Sequence, residues 1–240
     1  MASGPHAGSH RGRYQRGEET QQRIIDAAVA MFGLKGFSET STRDIAAAAD
    51  INTPAIQYYF ENKLGLYTAC IDHLTSRIWY RIGPVIEACR AVLSEKPALG
   101  DIIMAARTVQ DCLIDSFFAD SEGLAIRRLK AWSDADSSPD APGNVAGELL
   151  KVRVGLPIFE TFRQIVCYVC PAGMSELEID LHANALVGTS MIFHLDRMHS
   201  AETAECSADE CGAGDDTFVA VLRTVANSHL AFALTGLAAR

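Results

Sequence analysis

No uninterrupted apolar run in the 240-residue chain approaches the ~18 residues that a bilayer-spanning helix requires. The sequence therefore predicts no membrane span. Its first 17 residues are rich in Gly, Ser and His and lack the apolar core of a secretory signal, so a cytoplasmic location is expected. Strand-type alternation of apolar and polar residues is missing over any useful length, and no segment repeats. These absences exclude barrels, sandwiches and solenoids. Also absent are a phosphate-cradling glycine loop, a Gly-x-Ser-x-Gly elbow and a paired-histidine zinc motif. The seven histidines are dispersed and supply no nucleophile, base and orienting group in combination. No enzymatic activity, no cofactor and no resident metal are expected.

Two further imbalances set bounds. Acidic residues outnumber basic ones, 30 to 21, for a formal net charge of -9. Over the whole chain that charge argues against non-specific coating of nucleic acid, because phosphates repel it. The seven cysteines are odd in number and scattered: Cys70, Cys89, Cys112, Cys167, Cys170, Cys206 and Cys211. Without an export signal they are expected to be reduced thiols rather than a disulfide framework.

What is present is helical periodicity in a chain that is 48% hydrophobic and 21% charged. That composition suits a globular protein that buries about 70–75% of its unfolded surface. Residues 1–17 carry Arg11, Arg13 and Arg16 with no acid and read as a flexible basic tail. From Glu18 onward, Ile24, Ala27, Ala28, Met31 and Phe32 form one stripe, closed by Gly36 at a helix C-terminus. Ser41 with Asp44 predicts a capped second helix with Ile45, Ala46 and Ala49 inside. Asp50 and Ile51 make a turn. Asn52 and Pro54 start a third helix that buries Ile56 and Phe60. A fourth helix runs from about Lys63 through Leu66, Cys70, Leu74, Ile78 and Trp79, with Gly83-Pro84 expected to kink or break it. Further helices are expected near 98–118, 122–133, 144–170 (bent at Pro157), 175–199 (capped by Ser175 and Glu178) and 215–236. Loops are expected at 134–143 and 200–214. The chain reads as all-α.

Three short helices with a tight turn between the second and third describe a helix-turn-helix. The outward positions of the third helix are Thr53, Ala55, Gln57 and Tyr58. Gln57 can pair in two-pronged fashion with an adenine edge, and Ala55 can touch a thymine methyl. Tyr58 and Tyr59 offer hydroxyls to phosphate, although Tyr59 fits a core position equally well. Thr42 and Arg43 open the second helix toward the nucleic-acid backbone, and Lys63 adds a cation at the start of the fourth.

Residues 18–74 resemble the DNA-binding domain of the TetR family of bacterial repressors. The resemblance rests on the helix ending in Phe32, the Lys35-Gly36-Phe37 turn, Thr42 before the short Ile45-Ala46 helix, the aromatic cluster ending in Phe60, and Lys63 three residues on. The Ala55-Ile-Gln-Tyr-Tyr-Phe60 segment is similar to its counterpart in the CecR-like subgroup. One departure is Asp50, where the family usually has Gly in the turn between the second and third helices. The resemblance implies a homodimer on a palindromic double-stranded operator, released by a small-molecule effector. Its motif positions carry DNA contact to Thr42, Arg43, Thr53, Pro54, Ala55, Gln57, Tyr58, Tyr59 and Lys63. It implies a helical C-terminal domain that binds ligand and dimerises, here through helices near 175–199 and 215–236.

The resulting organisation is a tail at 1–17, a DNA-binding domain at 18–66 and a ligand-binding and dimerisation domain at 67–240. Aromatic and apolar residues of the last domain suffice to line a cavity. The candidates are Trp79, Met104, Phe117, Trp132, Phe159, Phe162 and Phe193, with Arg128 or Asp115 as a polar anchor. For each of these, core packing or surface placement is the competing reading. Cys167-x-x-Cys170 carries a second hypothesis, a metal- or thiol-redox-sensing regulator. Three residues apart on one helix is poor disulfide geometry, and no further ligands are fixed near the pair. The more ordinary reading makes Cys70, Cys89, Cys112, Cys167 and Cys170 small core hydrophobes. Of the net charge, -1 falls on residues 1–72 and -8 on the remainder. The acidity therefore belongs to the C-terminal part, and the DNA-facing part is near neutral.

Overall fold

The structure, a computed structural model, describes residues 8–135, 142, 145–170, 173–191 and 216–239. Every regular element among them is helical: α1 (Gly8–Glu39), α2 (Thr42–Ala48), α3 (Thr53–Phe60), α4 (Lys63–Ser94), α5 (Leu99–Ile114), α6 (Ser121–Ala135), α7 (Val145–Leu150), α8 (Leu156–Val169), α9 (Glu176–Met191) and α10 (Asp216–Ala238). The all-α expectation holds. Helix α1 already starts at Gly8, so the stretch expected as flexible tail is helical from there to residue 17. No proline follows Pro5 to stop the helix propagating backward from the apolar stripe. The loop expected at 200–214 and the end of the helix expected at 175–199 lie outside the described residues.

The chain divides into two bodies. The first holds the residues up to His73 together with Arg128–Gly147; the second holds Leu74–Arg127 and Glu148 onward. The division at His73 falls within α4, a few residues beyond the expected boundary at 66. It also adds to the first body a segment of α6 that is remote in sequence.

In the first body, α1 is interrupted at Gly36, whose φ of 75° lies where only glycine is unstrained. That turn sends Phe37 back onto Phe32 (ring centroids 5.9 Å apart) and Tyr67 (5.2 Å, edge-on). Tyr67 in turn meets Phe32 edge-on at 5.0 Å. Ile24, Ala28, Ile45, Ile56, Phe60, Leu66, Cys70 and Ile71 of the same body are also buried.

The caps form as their residues dictate. Ser41 Oγ accepts from the Asp44 amide at 3.1 Å and donates to its carboxylate at 2.7 Å. The second bond holds the Asp44 carboxyl below the usual carboxylate range. Asn52 Oδ1 accepts from the Ala55 amide at 3.1 Å. Between these two helices Asp50 takes φ 52°, and the Ile51 and Asp50 amides donate to the Ala46 and Ala47 carbonyls (3.0 and 3.3 Å). This is a Schellman closure of α2 with aspartate in the left-handed position. At the next corner a side-chain carbon on Gly65 would come within 2.3 Å of the Phe60 carbonyl; the α3–α4 turn closes only because it is absent.

In the second body, α5 packs against α8, α9 and α10. Of the kink or break expected at Gly83-Pro84, the break does not occur: helix α4 continues through Pro84 to Ser94. The Trp79 indole lies over Gly83, with ring atoms at 3.1–3.4 Å from where a Cβ would sit, and packing of this kind compensates for the hydrogen bond that proline removes. The helix expected at 98–118 ends in a π-helical turn, Asp115–Ala119, and the one expected at 144–170 is divided by another, Lys151–Gly155. The second turn ends just before Pro157. Its wider spacing lets the Leu156 amide reach the Lys151 carbonyl, and the missing proline amide falls in the first turn of α8, where no partner is needed. Ser175 and Glu178 form the expected reciprocal cap of α9: the Glu178 amide donates to Ser175 Oγ (3.3 Å) and the Ser175 amide to Glu178 Oε2 (2.9 Å).

Two substitutions test this account. Asp50→Gly relieves the left-handed strain and should raise stability by about 0.5–1 kcal/mol, read as a higher melting midpoint. Gln110 on α5 is 0% exposed and neither of its amide atoms has a hydrogen-bond partner. Gln110→Met keeps the side chain's length and removes the unsatisfied amide. It should stabilise the chain by about 1 kcal/mol or more, and a lower melting midpoint would contradict the unpartnered state.

Candidate nucleic-acid interface

The capped α2–α3 pair fixes where each expected contact residue stands. Thr42 and Arg43 open α2, Arg43 exposed and Thr42 half-buried. On α3, Pro54 and Gln57 are exposed, Thr53 and Ala55 are half-buried, and Tyr58 is 83% exposed. Tyr59 is half-buried, edge-on to Tyr58 at 5.1 Å and tilted against Phe60 at 6.3 Å. Of the two tyrosines, Tyr58 is therefore the one that stands out from the body. Lys63 is held inward: its ammonium donates to the Ser38 carbonyl at 3.3 Å and lies 4.3 Å from the centroid of the Phe37 ring. It braces the turn before α2 in addition to placing a positive charge near the surface.

A cleft of about 470 Å3 gathers Thr42, Gln57 and Lys63 with Ser38, Thr40, Ser41 and Asn62. Glu39 and Glu61 also line it, so the surface mixes hydroxyls, an amide and an ammonium with two carboxylates. Acidic groups here oppose phosphate and favour a small, oriented contact over broad electrostatic adhesion. The helical periodicity of the sequence pointed to Thr42, Gln57 and Lys63. It held no signal for Ser38, Thr40 or Asn62, which reach the cleft from the last residues of α1 and from the turns before α2 and α4.

The second body contains a cleft of about 410 Å3 lined by Arg81, Val85, Thr108, Asp111, Cys112, Asp115, Ser116, Ala119 and Asp120. Its charges are internally paired. Arg81 meets Asp120, Arg223 of α10 meets Asp115 and Asp111, and Asn227 donates to Asp111 at 2.8 Å. Arg81 Nη2 lies 3.4 Å from Glu122 without hydrogen-bond alignment, and Arg81 Nε has no acceptor. Asp115 lines this cleft, but none of the other ligand candidates does. Trp79 and Phe159 are half-buried, Phe117 and Phe162 are buried, and Met104 is exposed. Arg128 and Trp132 belong to the first body, where they lie against Gly33 and Gly36 of α1. Phe193 lies outside the described residues.

Cys70 and Cys89 are buried, as a core reading requires, whereas Cys112 and Cys170 are half-buried and Cys167 is exposed. All five are free thiols. Partial desolvation pushes the Cys167 thiol up, against the opposing pull of Arg163, which disfavours the thiolate that metal binding and redox chemistry need. Among the described residues no group of three or more His, Cys, Asp or Glu side chains is placed to hold a metal. Cys206, Cys211, His194 and His199 lie outside them. Residues Thr217–Ala238 of α10 are long and apolar enough, by length and composition, to cross a membrane. This amends the reading of the sequence, which looked for an unbroken apolar run and so passed over a helix punctuated by Arg223, Asn227 and Ser228. One face of α10 packs on α5.

Comparison with known proteins follows the same lines. Residues 24–70 match the family of bacterial regulatory proteins named tetR. The HTH-type transcriptional dual regulator CecR of Shigella flexneri is 27% identical over 184 residues, 75% of this chain and 78% of its own length. The HTH-type transcriptional regulator YttP of Bacillus subtilis is 40% identical over 75 residues, 31% of this chain and 34% of its own. In fold, the chain is similar to the crystal structure of a TetR-family transcriptional regulator from Mesorhizobium loti, with a TM-score of 0.57 at 21% identity, covering 92% of this chain and 97% of that one. The capped helix-turn-helix and the family match laid over it lead to one assignment: residues 24–70 form a DNA-binding domain of the tetR family of bacterial regulatory proteins.

Proposed function

We propose that the protein is a repressor that binds a palindromic operator as a homodimer and lets go when a small molecule occupies its second body. The observation that carries this reading is the outer face of α3, where Gln57 and Tyr58 stand exposed on a helix capped at its N-terminus by Asn52. Gln57 reads a base edge, Tyr58 meets the backbone, and Arg43 supports them from α2. In a symmetric dimer the two α3 helices enter successive major grooves about 34 Å apart. An effector that prefers another spacing lowers the population competent for operator. Helix α4 is the natural lever, because the same helix contributes Lys63–His73 to the first body and its later turns, with Trp79, to the second. The buried, unpartnered amide of Gln110 supports an effector with a paired donor and acceptor held among apolar groups.

The dimer interface is assigned to α10 with α9. Val221 and Phe232 are exposed on α10, Phe232 at 83%, and Leu177 and Leu181 are exposed on α9. A shallow groove lined by Thr217, Ala220, Val221, Thr224 and Val225 continues the α10 face. A helix whose apolar composition exceeds what its own body buries calls for a partner, and a second copy matches it by symmetry.

Selection from a random DNA library by the purified protein should return a palindrome. Gln57→Ala and Tyr58→Ala should each weaken that operator by at least about tenfold, the loss expected for one good base or backbone contact, with the dimer intact. Unchanged affinity in a gel shift would sink these assignments. Phe232→Glu should convert the dimer to a monomer in sedimentation while helicity by circular dichroism is kept; a variant that sediments as a dimer would remove α10 from the interface.

A further inference from the structure

We propose that Trp132 is a positioning residue for operator binding, carrying the placement of helix α6 onto the turn that starts the helix-turn-helix. The inference rests on the operator-binding reading above and adds to it a residue nearly a hundred positions away from α1 in sequence. Trp132 belongs to the part of α6 that lies in the first body. Its indole N–H donates to the Gly33 carbonyl at 3.2 Å. Its ring lies against Gly36, where a Cβ would meet two ring carbons at 3.0 Å. Gly36 is the left-handed residue at which α1 breaks. The indole thus fills the space a side chain would take and bonds a carbonyl one turn before the break, where helical amides run out.

The turn beyond Gly36 is short and tied at every step. Thr40 Oγ1 reaches the Gly36 carbonyl at 2.7 Å, Lys63 reaches the Ser38 carbonyl, and Ser41 caps α2, whose first residues are Thr42 and Arg43. A displacement of the indole therefore reaches the start of α2 within six residues, with no slack to absorb it. One turn before Trp132, the fully buried Leu129 presents its carbonyl to the Tyr67 hydroxyl at 3.5 Å. The α6 segment accordingly holds both the turn and the aromatic cluster behind it.

The test uses the full-length protein and the operator it selects. In a Trp79→Phe background Trp132 is the only tryptophan. Operator addition should change its emission maximum and reduce its quenching by acrylamide. A residue that serves folding alone would show the same emission and quenching with and without DNA. Trp132→Ala should lower operator affinity by about tenfold with helicity kept. Trp132→Phe, which retains the ring on Gly36 and loses only the N–H, should recover part of that loss. If operator binds while Trp132 emission and quenching stay unchanged, the proposal is overturned, and this readout decides even where Trp132→Ala does not fold. If no operator is selected at all, the regulatory reading fails first and this inference falls with it.

Discussion

The aromatic cluster of Phe32, Phe37 and Tyr67 is the contact on which the DNA-binding body depends. It joins α1, the turn after it and α4, and it exists because Gly36 adopts a backbone conformation that returns the chain onto its own helix. Edge-on and offset ring pairs add specific geometry to a large apolar burial. Helices α2 and α3 are too short to hold themselves in water; each buries an apolar face, Ile45 with Ala46 and Ile56 with Phe60, and they pack on one another, α2 also on α1. A substitution in the aromatic cluster would disturb every side chain of the recognition surface together, whereas changes on α3 act one at a time.

The second body is organised differently. Its apolar core is crossed by polar groups that are paired unevenly. Thr161 finds a carbonyl within its own helix, Arg127 lies over the Phe118 ring, and Gln110 has neither donor nor acceptor satisfied. Such groups cost stability, and an amide retained in an apolar interior fits a site whose partner arrives from solution. The described cleft, by contrast, has its carboxylates already engaged by Arg81 and Arg223. A ligand entering it has to exchange with those ion pairs.

Features with a local physical cause were legible in the sequence. Ser41, Asn52 and Ser175 cap the helices they were expected to cap, Gly36 breaks α1, and Asp50 occupies the left-handed turn position despite its side chain. Features decided by partners far along the chain were not. Trp132 looked like a cavity residue because a lone tryptophan on an amphipathic helix says nothing about which helix it meets. Its partner is α1. Gly83-Pro84 looked like a break because the hydrogen bond lost at proline is local, while the Trp79 packing that supports the helix shows only in three dimensions. The acidic side chains of the cleft, Glu39 and Glu61, were not legible, because they stand at the end of α1 and just after α3, outside the apolar stripes.

Asp50 and Glu61 both have positive φ, 52° and 63°, and they stand at either side of α3. Helix α3 is therefore bracketed by two reversals of backbone hand, and it can neither lengthen nor rotate by a residue without undoing one of them. Its reading frame is locked. Each outward side chain of α3 faces a direction fixed by the backbone at its two ends, so a substitution at one position leaves the register of the others in place.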